Sequence, residues 1–148
     1  VDEAVSLLEQ YDMHSSAGSC YHFQLADAAG NSAVVEYIDN EFVVLKADEG
    51  YQMATNFLLS DKKFNFGTGQ DRYGTLESSL NRCGGVVKDE QAGMDLLQAA
   101  SKDWHVSETS GRLNATQWSI VFNCTDLTAK VVTGRQYDKP AHTFSLTQ

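Results

Sequence analysis

The chain has 148 residues and a mass of 16.3 kDa, enough for one ordinary domain, spanning 1–148, with a sizeable core. Its hydrophobic fraction of 42% and single proline are those of a compact globule. A net charge of −9, with the few basic residues scattered, argues against nucleic acid or an anionic membrane surface as partner, and no segment is long and apolar enough to cross a bilayer.

Cysteines 20, 83 and 124 cannot all pair with one another, and no Cys-x-x-Cys or Cys/His spacing suits zinc. They predict free thiols in a reducing, cytoplasmic setting, with secretion of a longer precursor as the alternative.

Taken in chain order, the first residues follow helical spacing, with Val1, Ala4, Val5, Leu8 and Tyr11 on one face. An apolar first residue with no capping Ser, Thr or Asp before it makes this element look cut. After a polar stretch from Met13 to Ser19, strands are predicted. Cys20 to Asp27 alternates Tyr21, Phe23 and Leu25 against Cys20, His22, Gln24 and Ala26. Ala29-Gly30-Asn31 supplies a turn, Ser32 to Ile38 runs back, Asp39-Asn40 turns tightly, and Phe42 to Lys46 returns. Gly50 interrupts, and Tyr51 to Phe57 reads as a further strand. Connections this short make the meander antiparallel.

Two helices follow. Tyr73, Leu76, Leu80 and Cys83 line the first, which stops at Gly84-Gly85. The second covers roughly Asp89 to Ser101, with Ala92, Leu96, Leu97 and Ala100 as its buried stripe. Lys102 to Asn114 is a polar, exposed loop. Strands resume at Ala115 to Cys124, Thr128 to Thr133 and Thr143 to Leu146, with Trp118, Ile120 and Phe122 as a core face. Strands, then helices, then strands predict an α+β fold: an antiparallel sheet with flanking helices.

Several of these landmarks occur in a telling order: the hairpin Tyr21-His22-Phe23 through Ala26-Asp27 with Val34-Val35-Glu36-Tyr37, then Thr55-Asn56, then Gly69-Gln70-Asp71-Arg72-Tyr73, then Thr116 to Asn123. In this order the chain, from Glu3 to Leu146, resembles the C-terminal portion of the choloylglycine hydrolase and penicillin V acylase family, within the N-terminal-nucleophile hydrolases. The resemblance implies one half of an αββα sandwich in a bacterial, cofactor-free enzyme that cleaves the C–N bond of linear N-acyl amides.

It also implies roles for two residues. Asn56 maps onto the oxyanion-hole asparagine of a Thr-Asn step, a neutral donor preorganised for the developing charge. On the residues alone, an Asx turn that ends the strand is the commoner use of Asn at such a place. Arg72 maps onto an arginine at the start of the following helix, where a permanent cation supports a thiolate or a substrate carboxylate. Its other reading is a surface pair with Asp71 or Glu77, but a cation in a first helical turn opposes the macrodipole, and that misfit leans towards function.

The family's chemistry requires a nucleophilic first residue whose α-amine acts as base, and Val1 supplies only the amine. The expected partners are therefore a small-molecule N-acyl amide and the missing N-terminal half that carries the cysteine. Only Phe57 to Asp71 separate Asn56 from Arg72, where bile-salt hydrolases carry a long insertion that assembles their tetramers. The general linear-amide hydrolase branch fits better.

Other constellations are weaker. Cys20 and His22 share a strand face, but no third group is evident to orient the imidazole. Asp27 and Glu36 near a hairpin turn read as solvated carboxylates. Two further readings stay open: one subunit of a processed amidase, or a non-catalytic binding module that retains the scaffold. A lone half should also expose an apolar patch and associate with itself as a homo-oligomer.

Overall fold

The structure, a computed structural model, describes residues 1–13, 21–48, 50–60, 67–108 and 110–147. The chain is α+β, and every strand pairing among the described residues is antiparallel. It divides into two compact units, Val1–Gly74 and Thr75–Gln148. No described helix is long and apolar enough to cross a membrane.

The first unit opens with α1 (Asp2–Leu8), whose N-cap Val1 makes no side-chain capping bond and whose first turn carries Asp2 and Glu3, the favourable sign for that end of the dipole. Val1, Ala4, Val5 and Leu8 form its half-buried face, as the spacing predicts. Tyr11 does not join them: the helix ends at Leu8, and the ring is 61% exposed.

Three strands then build the first sheet: β1 (His22–Ala26), β2 (Ser32–Ile38) and β3 (Glu41–Lys46), with β2 in the centre. The register sets His22 opposite Glu36 and Glu36 opposite Val43. Asp27 shapes the first hairpin, its carboxylate accepting bonds from the Ala29 and Asn31 amides and from the Asn31 side chain. Those bonds, from Asn31 above all, lower its pKa. Asp39 (φ 51°) and Asn40 (φ 62°) make the second turn, the left-handed pair of a two-residue hairpin.

The predicted strand from Tyr51 to Phe57 is shorter in the structure: only β4 (Asn56–Phe57) forms, paired with β5 (Gly67–Thr68). In the preceding stretch Gln52 is held by bonds that involve side chains and not by a strand ladder. Its carbonyl accepts from Gln24 Nε2 at 2.9 Å, its Nε2 donates to the Leu45 carbonyl at 2.7 Å, and its Oε1 accepts from Ser32.

Glu36 also departs from its sequence reading. Far from being a solvated turn carboxylate, it is 1% exposed in the middle of β2, beside Ala33, Val34 and Val35. Its oxygens accept the Leu59 amide at 2.7 Å, the Ser60 amide at 2.9 Å and the Ser60 hydroxyl, with His22 Nδ1 at 3.3 Å. Burial by itself raises the carboxyl pKa. The bonds from His22, Ser60 and the two amides outweigh it and bring the group from its ordinary 4.5 down to about 2.

Helix α2 (Gln70–Arg82) runs across the boundary between units, with Leu80 buried. Gly84 and Gly85 end it at positive φ, and the Gly85 amide closes on the Leu80 carbonyl at 2.8 Å. Cys83, expected on the buried stripe, is exposed because the chain has already left the helix there.

In the second unit, α3 (Glu90–Ala99) is capped by Asp89, whose side chain accepts the Ala92 amide at 2.7 Å. Its deepest residue is Met94, beside the expected Ala92, Leu96 and Leu97. The predicted exposed loop contains a small hairpin, β6 (His105–Val106) against β7 (Leu113–Asn114). A final meander follows: β8 (Trp118–Asn123), β9 (Thr128–Thr133) and β10 (His142–Ser145), with β9 central.

One face of this sheet meets α3. Val121 lies 3.4 Å from where a Cβ on Gly93 would sit, Asn123 donates to Glu90, and Lys130 pairs with Glu90 at 2.9 Å. The core face expected from the sequence is the other one, and it is not covered: Trp118 and Phe122 are 63% and 59% exposed, while Ser119 is buried and bonded to Tyr137. Alternation correctly separates the two faces, but hydrophobicity does not say which one the helix takes.

The sign of the Glu36 shift gives a test. A carboxyl whose pKa is depressed on folding stabilises the protein above its unfolded pKa, and that contribution disappears as pH falls from about 4.5 towards about 2. Chemical denaturation followed from pH 6 to pH 2 should show a loss on the order of 3 kcal/mol from this group. Glu36→Gln should flatten that acid limb and lower stability at neutral pH; an unchanged limb would refute the assignment.

Candidate functional site

Asn56 and Arg72, sixteen positions apart, are brought into contact by a short piece of local structure. Asn56 starts β4, opposite Thr68 on β5. One residue later Gly69, buried and at φ +97°, turns the chain into α2, and its carbonyl accepts the first helical bond from the Tyr73 amide at 2.9 Å. Thr55 donates its hydroxyl to that same carbonyl at 3.1 Å. Phe57 and Tyr73 meet edge to face at 5.3 Å, fixing the first turn of α2 against the strand.

Within this frame the Arg72 Nη2 donates to Asn56 Oδ1. A guanidinium has donors only, so it must face the carboxamide oxygen, and the orientation of the Asn56 amide follows from that. The oxygen is engaged; the Nδ2 protons are directed elsewhere. A cation on the oxygen also polarises the amide, which makes the Nδ2–H groups better donors. Asn56 is exposed and Arg72 partly so, but the Arg72 Nε is buried with no hydrogen-bond partner among the described residues. The arrangement can therefore offer neutral and cationic donors to one developing or permanent negative charge.

Gly69 makes the approach possible. A Cβ there would lie 2.7 Å from Arg72 Nη2, 3.2 Å from the Asn56 amide nitrogen and 3.2 Å from the Thr55 Cβ. The sequence singled out the Gly69 to Tyr73 stretch for its arginine, and the role of the glycine was not read. Its signal was a Gly directly before a helix with no capping side chain.

His22 differs from its sequence reading in one respect. The sequence offers no group to orient the imidazole, and the register supplies one, since Glu36 lies opposite and receives Nδ1. Cys20, its proposed companion, falls outside the described residues. Asp27 and Glu36 do not act as a pair, for each is occupied by its own hydrogen bonds. Cys83 opens on a groove of about 590 Å³ between α2 and α3, whose lining contains no histidine to take its proton. Among the described residues no group of His, Cys, Asp and Glu is arranged to hold a metal ion.

Compared with protein-family models, curated proteins and solved structures, the chain matches none.

Gly69→Ala should force a non-glycine residue to positive φ and displace the Arg72 guanidinium. Urea denaturation should report a loss of about 1–3 kcal/mol. The contact with Arg72 should set the Asn56 side-chain amide resonances apart from those of a free carboxamide, and they should collapse towards the free values in this variant and in Arg72→Ala. Wild-type resonances in both variants would show that the contact is not formed in solution.

Proposed function

We propose that this chain carries the electrophile-stabilising part of a cysteine N-terminal-nucleophile hydrolase that cleaves linear N-acyl amides, in the manner of choloylglycine hydrolases and penicillin V acylases. The observation that supports the reading is the bond from Arg72 to Asn56 Oδ1. It leaves the Asn56 Nδ2 protons as preorganised donors for the oxyanion of a tetrahedral intermediate and keeps a cation beside them.

In the proposed reaction a thiolate attacks the amide carbonyl, and the negative charge moves to the carbonyl oxygen, where Asn56 receives it. The C–N bond then breaks, the amine leaves with a proton from the catalytic α-amine, and water releases the acid from the thioester. Arg72 stabilises the thiolate before attack, or a carboxylate on the substrate, without taking part in proton transfer, because its guanidinium stays charged. The attacking thiol is assigned to a segment outside the 148 residues, and the αββα sandwich belongs to the assembled enzyme.

Two measurements test this. The 148-residue chain alone should release no acid from penicillin V or glycine-conjugated bile salts; turnover that survives purification and disappears with Cys20→Ser would place the nucleophile inside the chain. In a polypeptide that also bears the N-terminal cysteine, Asn56→Ala should lower kcat about 100- to 1,000-fold, equivalent to about 2.7–4 kcal/mol, with little change in KM. Undiminished kcat would remove Asn56 from the oxyanion hole.

A further inference from the structure

The groove between α2 and α3 is built wholly from residues 79–99, within the second unit, and shares no residue with the pair Asn56 and Arg72. Its volume of about 590 Å³ lies in the range of small-molecule pockets, about 300–1,000 Å³. One wall is a strip of α3, where Ala92, Leu96 and Ala99 recur at helical spacing and run about 10 Å along the axis. Alanine at two of these three positions keeps the space open. Val86 and Val87, just past the glycine pair that ends α2, complete the apolar lining and are 68% and 40% exposed.

Charge sets this concavity apart from an ordinary apolar surface. Arg82 and Lys88 both line it, against one carboxylate in the lining, Asp95. The chain as a whole has 20 acidic and 11 basic residues, so the local balance is reversed. Asp95 is already engaged, its Oδ1 accepting from Gln91 Nε2 at 2.8 Å. Arg82 gives one of its five N–H donors to the Ser79 hydroxyl at 3.1 Å, and Lys88 makes a long, exposed contact of 3.7 Å with Asp89.

We propose that the groove binds an apolar carboxylic acid in its ionised form, with the alkyl body against Val86, Val87, Ala92 and Leu96 and the carboxylate held by Arg82 and Lys88. The alkyl chain removes exposed apolar surface from water, and a carboxylate matches the planar fork of a guanidinium. A cationic amphiphile of the same length would meet two like charges. Nothing in this site depends on the amidase reading.

Cys83 lines the same groove and is exposed, so its rate of alkylation by the neutral reagent iodoacetamide reports occupancy. Peptide mass mapping of the 148-residue chain follows that rate, with Cys124 as the internal reference. Monomeric decanoate should slow Cys83 saturably and severalfold while leaving Cys124 unchanged. The half-protecting concentration should fall about tenfold with each two-carbon step from octanoate to dodecanoate. Decyltrimethylammonium should protect little. Arg82→Gln together with Lys88→Gln should raise the half-protecting concentration of decanoate about tenfold.

Absence of protection by monomeric decanoate overturns the proposal, as does equal protection by decyltrimethylammonium or equal slowing of Cys124. Protection by phosphatidylglycerol vesicles without protection by decanoate would assign the groove to a membrane surface and overturn it too. An unchanged decanoate series in the double variant removes the two cations from the site. If that variant fails to fold, the contrast between decanoate and decyltrimethylammonium on the wild-type chain decides the role of charge.

Discussion

A carboxylate taken out of water must have its charge answered on the spot, and Glu36 meets that demand in a way that organises the first unit. It lies at the centre of β2, and its oxygens accept the amides of Leu59 and Ser60, the Ser60 hydroxyl and the His22 ring. Those amides begin only three residues beyond Asn56. The chain that leaves β4 is thereby tied to the middle of the sheet, and Asn56 inherits a defined position. Truncating one partner of such a network leaves a buried charge uncompensated, typically at 3–5 kcal/mol, so the anchor is stiff as well as specific.

The same logic of unequal donors and acceptors operates at the candidate site. An asparagine on its own can present either end of its amide, and catalysis would need one of them. Arg72 removes the choice because it can only donate. The mild penalty of a cation in the first turn of α2 is offset by this contact, and Gly69 supplies the space the guanidinium occupies. Strand, left-handed glycine and helix thus act as one device for holding a polarised amide.

In the second unit the strands alternate cleanly, yet their most hydrophobic face is left uncovered. The face that α3 covers carries Ser119, Val121 and Asn123, and it is held by polar bonds to Tyr137 and Glu90 together with the close approach that Gly93 permits.

Much of this was legible in the residues. Period-two alternation and the turn pairs placed β1, β2, β3, β8 and β9 closely, because side-chain direction in a strand is a local property. Asp89 and the glycine pair at 84–85 marked helix ends for equally local reasons. Asn56 and Arg72 were singled out as residues, while their contact, and with it the orientation of the amide, came from the fold. Burial of Glu36, the partner that orients His22 and the sheet face that α3 selects all depend on what lies opposite in space. A sequence determines which side chains share a strand face or a helical turn; only tertiary packing decides which of those faces loses its water, because desolvation is imposed by neighbours that are distant along the chain.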